Sequence, residues 1–282
     1  MPDTHHDVKK LLDDIQQVLQ QQKELFGDMI VVEADSPKNE QIEPSMPPKK
    51  KQIDRPIPPV EEKDLFGKTI PPSTPLPEIR LPEFPKEPWT STQSIEDLNS
   101  TTCDCTKCAL GSTRTKFVFG VGNPHAEIVI VGEAPGAEED LQGEPFVGRA
   151  GQLLNKILEA IHLKREEVYI CNILKCRPPG NRDPHPDEVD HCEPYLWKQL
   201  ELIKPKIILC LGRIAGQTLL RTTKSLGDLR GTTHNYRGIK LMVTYHPAAL
   251  LRNPNWKRPT WEDVQQFRKI YDEMIKGPQN HA

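Results

Sequence analysis

Four short apolar runs, each rich in β-branched residues, restrict this chain more than any other feature. They span residues 126–136, 167–175, 205–212 and 238–247. Helical periodicity follows each of the first three, at 148–163, 185–203 and 213–220, and a last helical stretch, 260–275, opens on Thr260 as a cap. Strand–helix alternation predicts an α/β fold. The expected architecture is a three-layer sandwich with a central parallel four-stranded sheet covered on both faces. In such sheets ligands bind beyond the carboxyl ends of the strands. Three strand ends carry polar chemistry, in the phrases GEAPG, CNILKC and TYHPAALLRN.

This pattern assigns the domain to residues 91–282 and leaves an N-terminal extension outside it. Residues 37–88 hold 14 of the 28 prolines. Proline fixes φ and removes backbone donors, so residues 31–90 are expected to be a disordered linker. Within residues 1–30, Val8, Leu11, Leu12, Ile15, Val18 and Leu19 recur at helical steps. An isolated amphipathic helix has little to bury against, so it either pairs with a partner or is marginal. The chain lacks an apolar run long enough to span a membrane, and its acidic start lacks the apolar core of a secretory signal. A cytoplasmic location is expected, where seven cysteines serve as thiols or metal ligands rather than disulfides. Residues 1–90 hold 12 basic and 17 acidic residues, and the remainder 25 and 23. No chain-wide basic field exists, so any nucleic-acid site must be a local patch.

The cysteines single out one constellation. Cys105 and Cys108 are separated by two residues, so both thiolates can face one ion or cluster. Cys176 and Cys192 bracket a fifteen-residue segment with four prolines, which no single helix or strand can span. Together they form a four-thiolate set suited to Zn²⁺ or to an iron–sulfur cluster, and spacing alone leaves both open. Cys171 and Cys210 lie inside apolar runs and read as core thiols. Cys103 could stand in for Cys105, although its spacing suits a ligand pair less well.

The phrases GEAPGAEEDLQGEPFVGRAGQLL, NILKCRPPGNRDP and HPAALLRN, with the four cysteines, resemble the family 4 uracil-DNA glycosylases over residues 95–276. The resemblance implies a uracil-DNA glycosylase-like fold and a [4Fe–4S] cluster on Cys105, Cys108, Cys176 and Cys192. It implies excision of uracil flipped out of single- or double-stranded DNA by a monomeric, nucleoid-associated enzyme. Gly132, Glu133, Ala134 and Pro135 would contact uracil. Phe146 would stack on it, Asn172 would read its edge, and His246 would stabilise the leaving anion through O2. Related families place an aspartate where this chain has Ala134, so Glu133 is assigned to position water alongside His246. Ala134 also keeps an alternative in view: an inactive DNA-binding module of the same fold. No lysine stands at an evident nucleophile position, so no lyase step is expected. Arg149, Lys175, Arg177 and Arg252 are expected to contact DNA, with Leu250 and Leu251 as wedges. Finally, Gln22–Phe26 resembles a sliding-clamp docking motif, and a similar phrase recurs at 62–70 with Glu62 in place of the glutamine.

Overall fold

The computed structural model describes residues 86–276. The extension, including the expected helix at 1–30 and Gln22–Phe26, lies outside the described residues. So does most of the expected linker.

The four apolar runs become β2 (Ile128–Gly132), β3 (Tyr169–Asn172), β4 (Ile207–Leu211) and β6 (Ile239–Thr244), all mutually parallel in the order β3-β2-β4-β6. Two antiparallel strands extend the expected sheet to six. They are β1 (Val121–Gly122), beside β3, and β5 (His234–Tyr236), beside β6. β1 is too short to show alternation. β5 is joined to β6 by Arg237–Gly238, both at positive φ. That geometry suits a two-residue hairpin turn. β2, β3 and β4 are buried along their whole length, which explains why their sequences are unbroken apolar runs.

Seven helices position the site: α1 (Ile95–Thr102), α2 (Ala137–Gln142), α3 (Arg149–Ala160), α4 (Pro186–Ile203), α5 (Arg213–Leu220), α6 (Pro247–Arg252) and α7 (Lys257–Lys276). Successive strand residues point to opposite faces. Ile128, Ile130, Ile170, Leu209 and Met242 face one layer, in one core with Leu154, Leu158, Val264 and Phe267 from α3 and α7. On the other face Tyr169 receives a hydrogen bond from Gln199 of α4 (3.2 Å), and Gly216 of α5 lies against Val243. The sandwich therefore has three layers. Its packed part reaches back to Pro88, because Trp89 is buried edge-on against Tyr195 of α4 at 4.9 Å between centroids. The expected boundary at residue 91 falls inside that first turn.

Register brings the chemistry to one edge. Gly132 pairs with Asn172, and Leu211 with Thr244, so β2, β3, β4 and β6 end nearly abreast. The chain order reverses at β2, with β3 on one side and β4 and β6 on the other. A crevice at such a switch point is where this architecture binds ligands.

Candidate active site

A cleft of about 310 Å³ opens at that edge. Phe146, Asn172 and His246, far apart in the chain, all line it, as do Glu133, Ala134 and Pro135. Its size suits a small planar ligand. The Phe146 and His246 rings lie 5.3 Å apart with 28° between their planes. Gly132 lets the site close up. A Cβ there would sit 2.3 Å from Asn172 Oδ1 and 2.7 Å from Phe146 Cζ. Asn172 is buried, and its Oδ1 has no hydrogen-bond partner among the described residues. A buried acceptor left unmet costs about 1–3 kcal/mol, so the site is built to receive a donor.

His246 caps α6. Its Nδ1 accepts the backbone N–H of Ala248 at 3.2 Å. A neutral ring must then carry its proton on Nε2. Burial and the Arg252 charge push its pKa down to about 4. The imidazole is therefore a neutral donor at physiological pH, a state that other enzymes also obtain at helix N-termini. Glu133 follows the last residue of β2. Burial, with the Asp183 carboxylate beside it, pushes its pKa up to about 7, and Arg213 opposes that shift. Asp183 lines the cleft and pairs with Arg213 at 2.8 Å.

The Phe146 loop is held from several directions. Phe146 has φ 54°, a left-handed backbone that costs an aromatic residue about 1–3 kcal/mol. Glu139 of α2 accepts the backbone N–H groups of Gly136 (3.1 Å), Val147 (3.0 Å) and Gly148 (3.2 Å). Arg165 donates to the Pro145 carbonyl at 2.6 Å and to Asn155 Oδ1 at 3.1 Å. Gly151 completes the fit, since a Cβ there would lie 1.8 Å from the Phe146 carbonyl oxygen.

Two residues expected at the DNA surface are elsewhere. Lys175 is fully buried, with Nζ donating to the Asn172 carbonyl (2.8 Å) and to Gln199 Oε1 (2.7 Å). It braces the end of β3 and cannot reach a phosphate. Leu250 is 1% exposed and belongs to the core shared with α3 and α7. α6 turns it inward and leaves Leu251, 41% exposed, as the remaining candidate for that position. Arg149 and Arg252 are exposed, and Arg252 lines the cleft. Arg177 donates to Asn181 Oδ1 at 2.8 Å. Arg182, also on the cleft wall, is tied to the buried Glu188 by two bonds of 2.9 and 2.6 Å.

The four cysteines neighbour one another across the chain. Cys108 and Cys105 lie close enough to Cys176, and Cys176 and Cys105 close enough to Cys192, for one thiolate to disfavour ionisation of the next. Burial pushes the Cys176 thiol up to about 11 and the Cys192 thiol up to about 12. Donors already face their sulfurs. Tyr195 Oη–H reaches Cys105 Sγ (3.2 Å), Arg114 Nη1 reaches Cys176 Sγ (3.4 Å), and the Lys175 N–H reaches Cys192 Sγ (3.2 Å). Cys171 and Cys210 are buried within β3 and β4, as their sequence context predicts. Among the described residues no group of three or more His, Cys, Asp or Glu side chains is placed to hold a metal ion.

Sequence reasoning did not find Asp183, Asn181 or Arg165. Asp183 and Asn181 lie in the proline-rich loop after β3 and meet the cleft only through the fold. Arg165 is one arginine in a charged turn, with no periodic or motif signal.

Comparison with known proteins gives the family. Residues 119–268 match the family described as the Uracil DNA glycosylase superfamily. A type-4 uracil-DNA glycosylase of Archaeoglobus fulgidus is 47% identical over 190 residues, which is 63% of this chain and 92% of that protein. One from Thermotoga maritima is 42% identical over 186 residues, covering 64% and 97%. A type-5 uracil-DNA glycosylase of Pyrobaculum aerophilum is 31% identical over 162 residues, covering 51% and 70%.

Proposed function

The chain belongs to the type-4 branch of the uracil DNA glycosylase superfamily, and from that premise we propose how it excises uracil from DNA. It is a monofunctional glycosylase that hydrolyses the N-glycosidic bond and leaves an abasic site. The observation that carries the residue assignments is the convergence of an aromatic ring, an unmet amide acceptor and a neutral imidazole on one cleft.

The target nucleotide leaves the stack and its base enters the cleft. Uracil stacks on Phe146, against the backbone of residues 132–135. Asn172 Oδ1 accepts the uracil N3–H, which satisfies an otherwise costly buried acceptor. Cytosine carries no hydrogen on N3, so the same atom disfavours it. As the C1′–N1 bond breaks, electrons move to the base and negative charge grows on O2. The Nε2–H of His246 donates to that oxygen without giving up its proton. Glu133, when ionised, orients the water, takes its proton as the water oxygen bonds to C1′, and offsets the positive charge on the sugar, while uracil leaves as the anion. Arg149, Arg177 and Arg252 contact the DNA strand, and Leu251 fills the space the base vacates.

Cys105, Cys108, Cys176 and Cys192 would hold a [4Fe–4S] cluster. Their fit rests on an all-thiol set from two distant segments, with donors already facing three of the sulfurs. When bound, the cluster supplies a cross-link between those segments, because the hydrolysis transfers no electrons. The same proposal takes the protein as a monomer on the cytoplasmic nucleoid, with Gln22–Phe26 docking a sliding clamp. The inactive-module alternative is not retained. Relatives of 41–47% identity are named as glycosylases, and a cleft-lining carboxylate, Glu133, directly precedes Ala134.

An oligonucleotide with a single uracil tests the assignment. Free uracil should appear, and the strand should break only after alkali. Phe146→Ala and His246→Ala should each slow release by about a hundredfold or more. Binding without base release would overturn the reading, and strand cleavage without alkali would replace it with a lyase.

A further inference from the structure

The stacking ring sits on a backbone that its own residue type disfavours. Something outside residue 146 must hold it. The Glu139 carboxylate takes the N–H groups on the C-terminal side of Phe146, at Val147 and Gly148. On the N-terminal side, the Pro145 carbonyl accepts one bond from the Arg165 guanidinium at 2.6 Å. Arg165 is itself aimed by Asn155 of α3 at 3.1 Å. It is half-buried, and loss of water lowers its pKa, a shift that the nearby carboxylates of Glu144 and Glu139 oppose. Two opposite charges thus grip the two ends of one short loop. The carboxylate can hold only N–H groups and the guanidinium only carbonyls, so neither can replace the other. Arg165 lines no part of the cleft and touches no reacting atom.

We propose that Arg165 is a positioning residue for base stacking: by holding the Pro145 carbonyl it fixes the left-handed backbone of Phe146, and so the plane on which the extruded base rests. This rests on the reading that Phe146 stacks on uracil. Without the clamp, residue 146 relaxes toward a commoner backbone and the ring tilts away from His246. The loss falls on recognition of the base rather than on general DNA contact. A charge-assisted bond to a carbonyl lost from a half-buried site corresponds to about a tenfold effect.

The test compares the full-length protein with Arg165→Met, Arg165→Lys, Phe146→Ala and the double variant Arg165→Met/Phe146→Ala. Inhibition by free uracil and KM on single-uracil DNA should each weaken about tenfold in Arg165→Met. Affinity for uracil-free DNA of the same length should stay unchanged. Arg165→Lys, which can still donate once to Pro145, should recover most of the loss. In the Phe146→Ala background, Arg165→Met should add less than twofold, because the ring through which it acts is gone. Equal uracil inhibition in Arg165→Met and wild type overturns the proposal, and so does a full tenfold loss persisting without the Phe146 ring. If Arg165→Met does not fold, the same comparison between Arg165→Lys and Arg165→Gln decides it. Lys must be the better inhibitor-binder, and parity overturns the proposal. Failure of the wild-type protein to release uracil would instead strike the functional reading, so the two failures are distinguishable.

Discussion

Glu133 is half-buried at the end of β2, where loss of water and the Asp183 carboxylate disfavour its ionised form. Its pKa of about 7 makes it the cleft group that changes charge near neutrality. His246 does so only near pH 4 and stays neutral throughout the working range. The carboxylate, not the acid, is the form that offsets positive charge on the sugar. Thus kcat/KM should rise with pH and level off above about 7. Glu133→Gln should lower the plateau about a hundredfold and remove the inflection; an inflection that persists in this variant assigns it to another group. The stability consequence has the opposite sign. A raised carboxyl pKa contributes stability that is full below about 4.5 and lost as pH rises through about 7. The melting advantage of Glu133→Gln over wild type should therefore grow across that window, which thermal scans at several pH values measure. At this scale the motif residues were legible because their types are chemically costly where they stand, as with an Asn in an apolar strand. Lys175 and Leu250 were misread because a residue's direction is settled by the element that carries it. Lys175 turns under α4 to Gln199, and Leu250 lies on the inner face of a helix that the phrase HPAALLRN did not announce.

The four cysteines proposed to hold the cluster come from separate elements. Cys105 and Cys108 lie in the irregular stretch after α1, Cys176 follows β3, and Cys192 lies within α4. Arg114 spans this gap. Its Nη2 donates to the Cys103 carbonyl (3.0 Å), while Nη1 bonds the Cys105 carbonyl and lies 3.4 Å from Cys176 Sγ. One guanidinium therefore holds the first thiol segment against the second. Outer contacts of this kind change metal affinity by about 10–100-fold. Arg114→Met should purify with less iron per chain and should bleach faster in air, with Arg114→Lys intermediate. Iron content and bleaching rate equal to wild type in Arg114→Met would remove this role. The central strands were legible because burial on both faces writes itself as an unbroken apolar run. The edge strands were not. β1 has two residues, and β5, read as His-Asn-Tyr, has no alternation to detect. Their pairing depends on neighbours rather than on their own side chains.

At the scale of the whole molecule, the question is where the enzyme begins. The sheet and the cleft are built from residues after 118, yet packing among the described residues reaches back to Pro88. Trp89 is 3% exposed and sits edge-on against Tyr195, whose hydroxyl donates to Cys105 Sγ. Lys107 lies over both rings, 5.3 Å from Trp89 and 5.1 Å from Tyr195. The tryptophan therefore supports the first thiol segment, although it lies outside the matched family region. Composition could not reveal this, because Trp89 follows directly on the proline-rich stretch and reads as part of it. Two truncations separate the roles. A chain beginning at Lys86 keeps Trp89 and should match the full-length protein in melting temperature and uracil release within about twofold. A chain beginning at Ile95 loses the ring and the Ser94 cap of α1, which accepts the Asp97 N–H at 3.0 Å. Removing a buried tryptophan costs about 3–5 kcal/mol and a helix cap about 1 kcal/mol. That loss should lower the melting temperature by roughly ten degrees or more and loosen iron retention. Equal stability of the two truncations would place the domain start after Trp89. Recovery on an immobilised sliding clamp gives the complementary readout. It should be lost in the chain beginning at Lys86 and in full-length Leu25→Ala/Phe26→Ala, while both still release uracil. Undiminished recovery of either removes the docking role assigned to Gln22–Phe26.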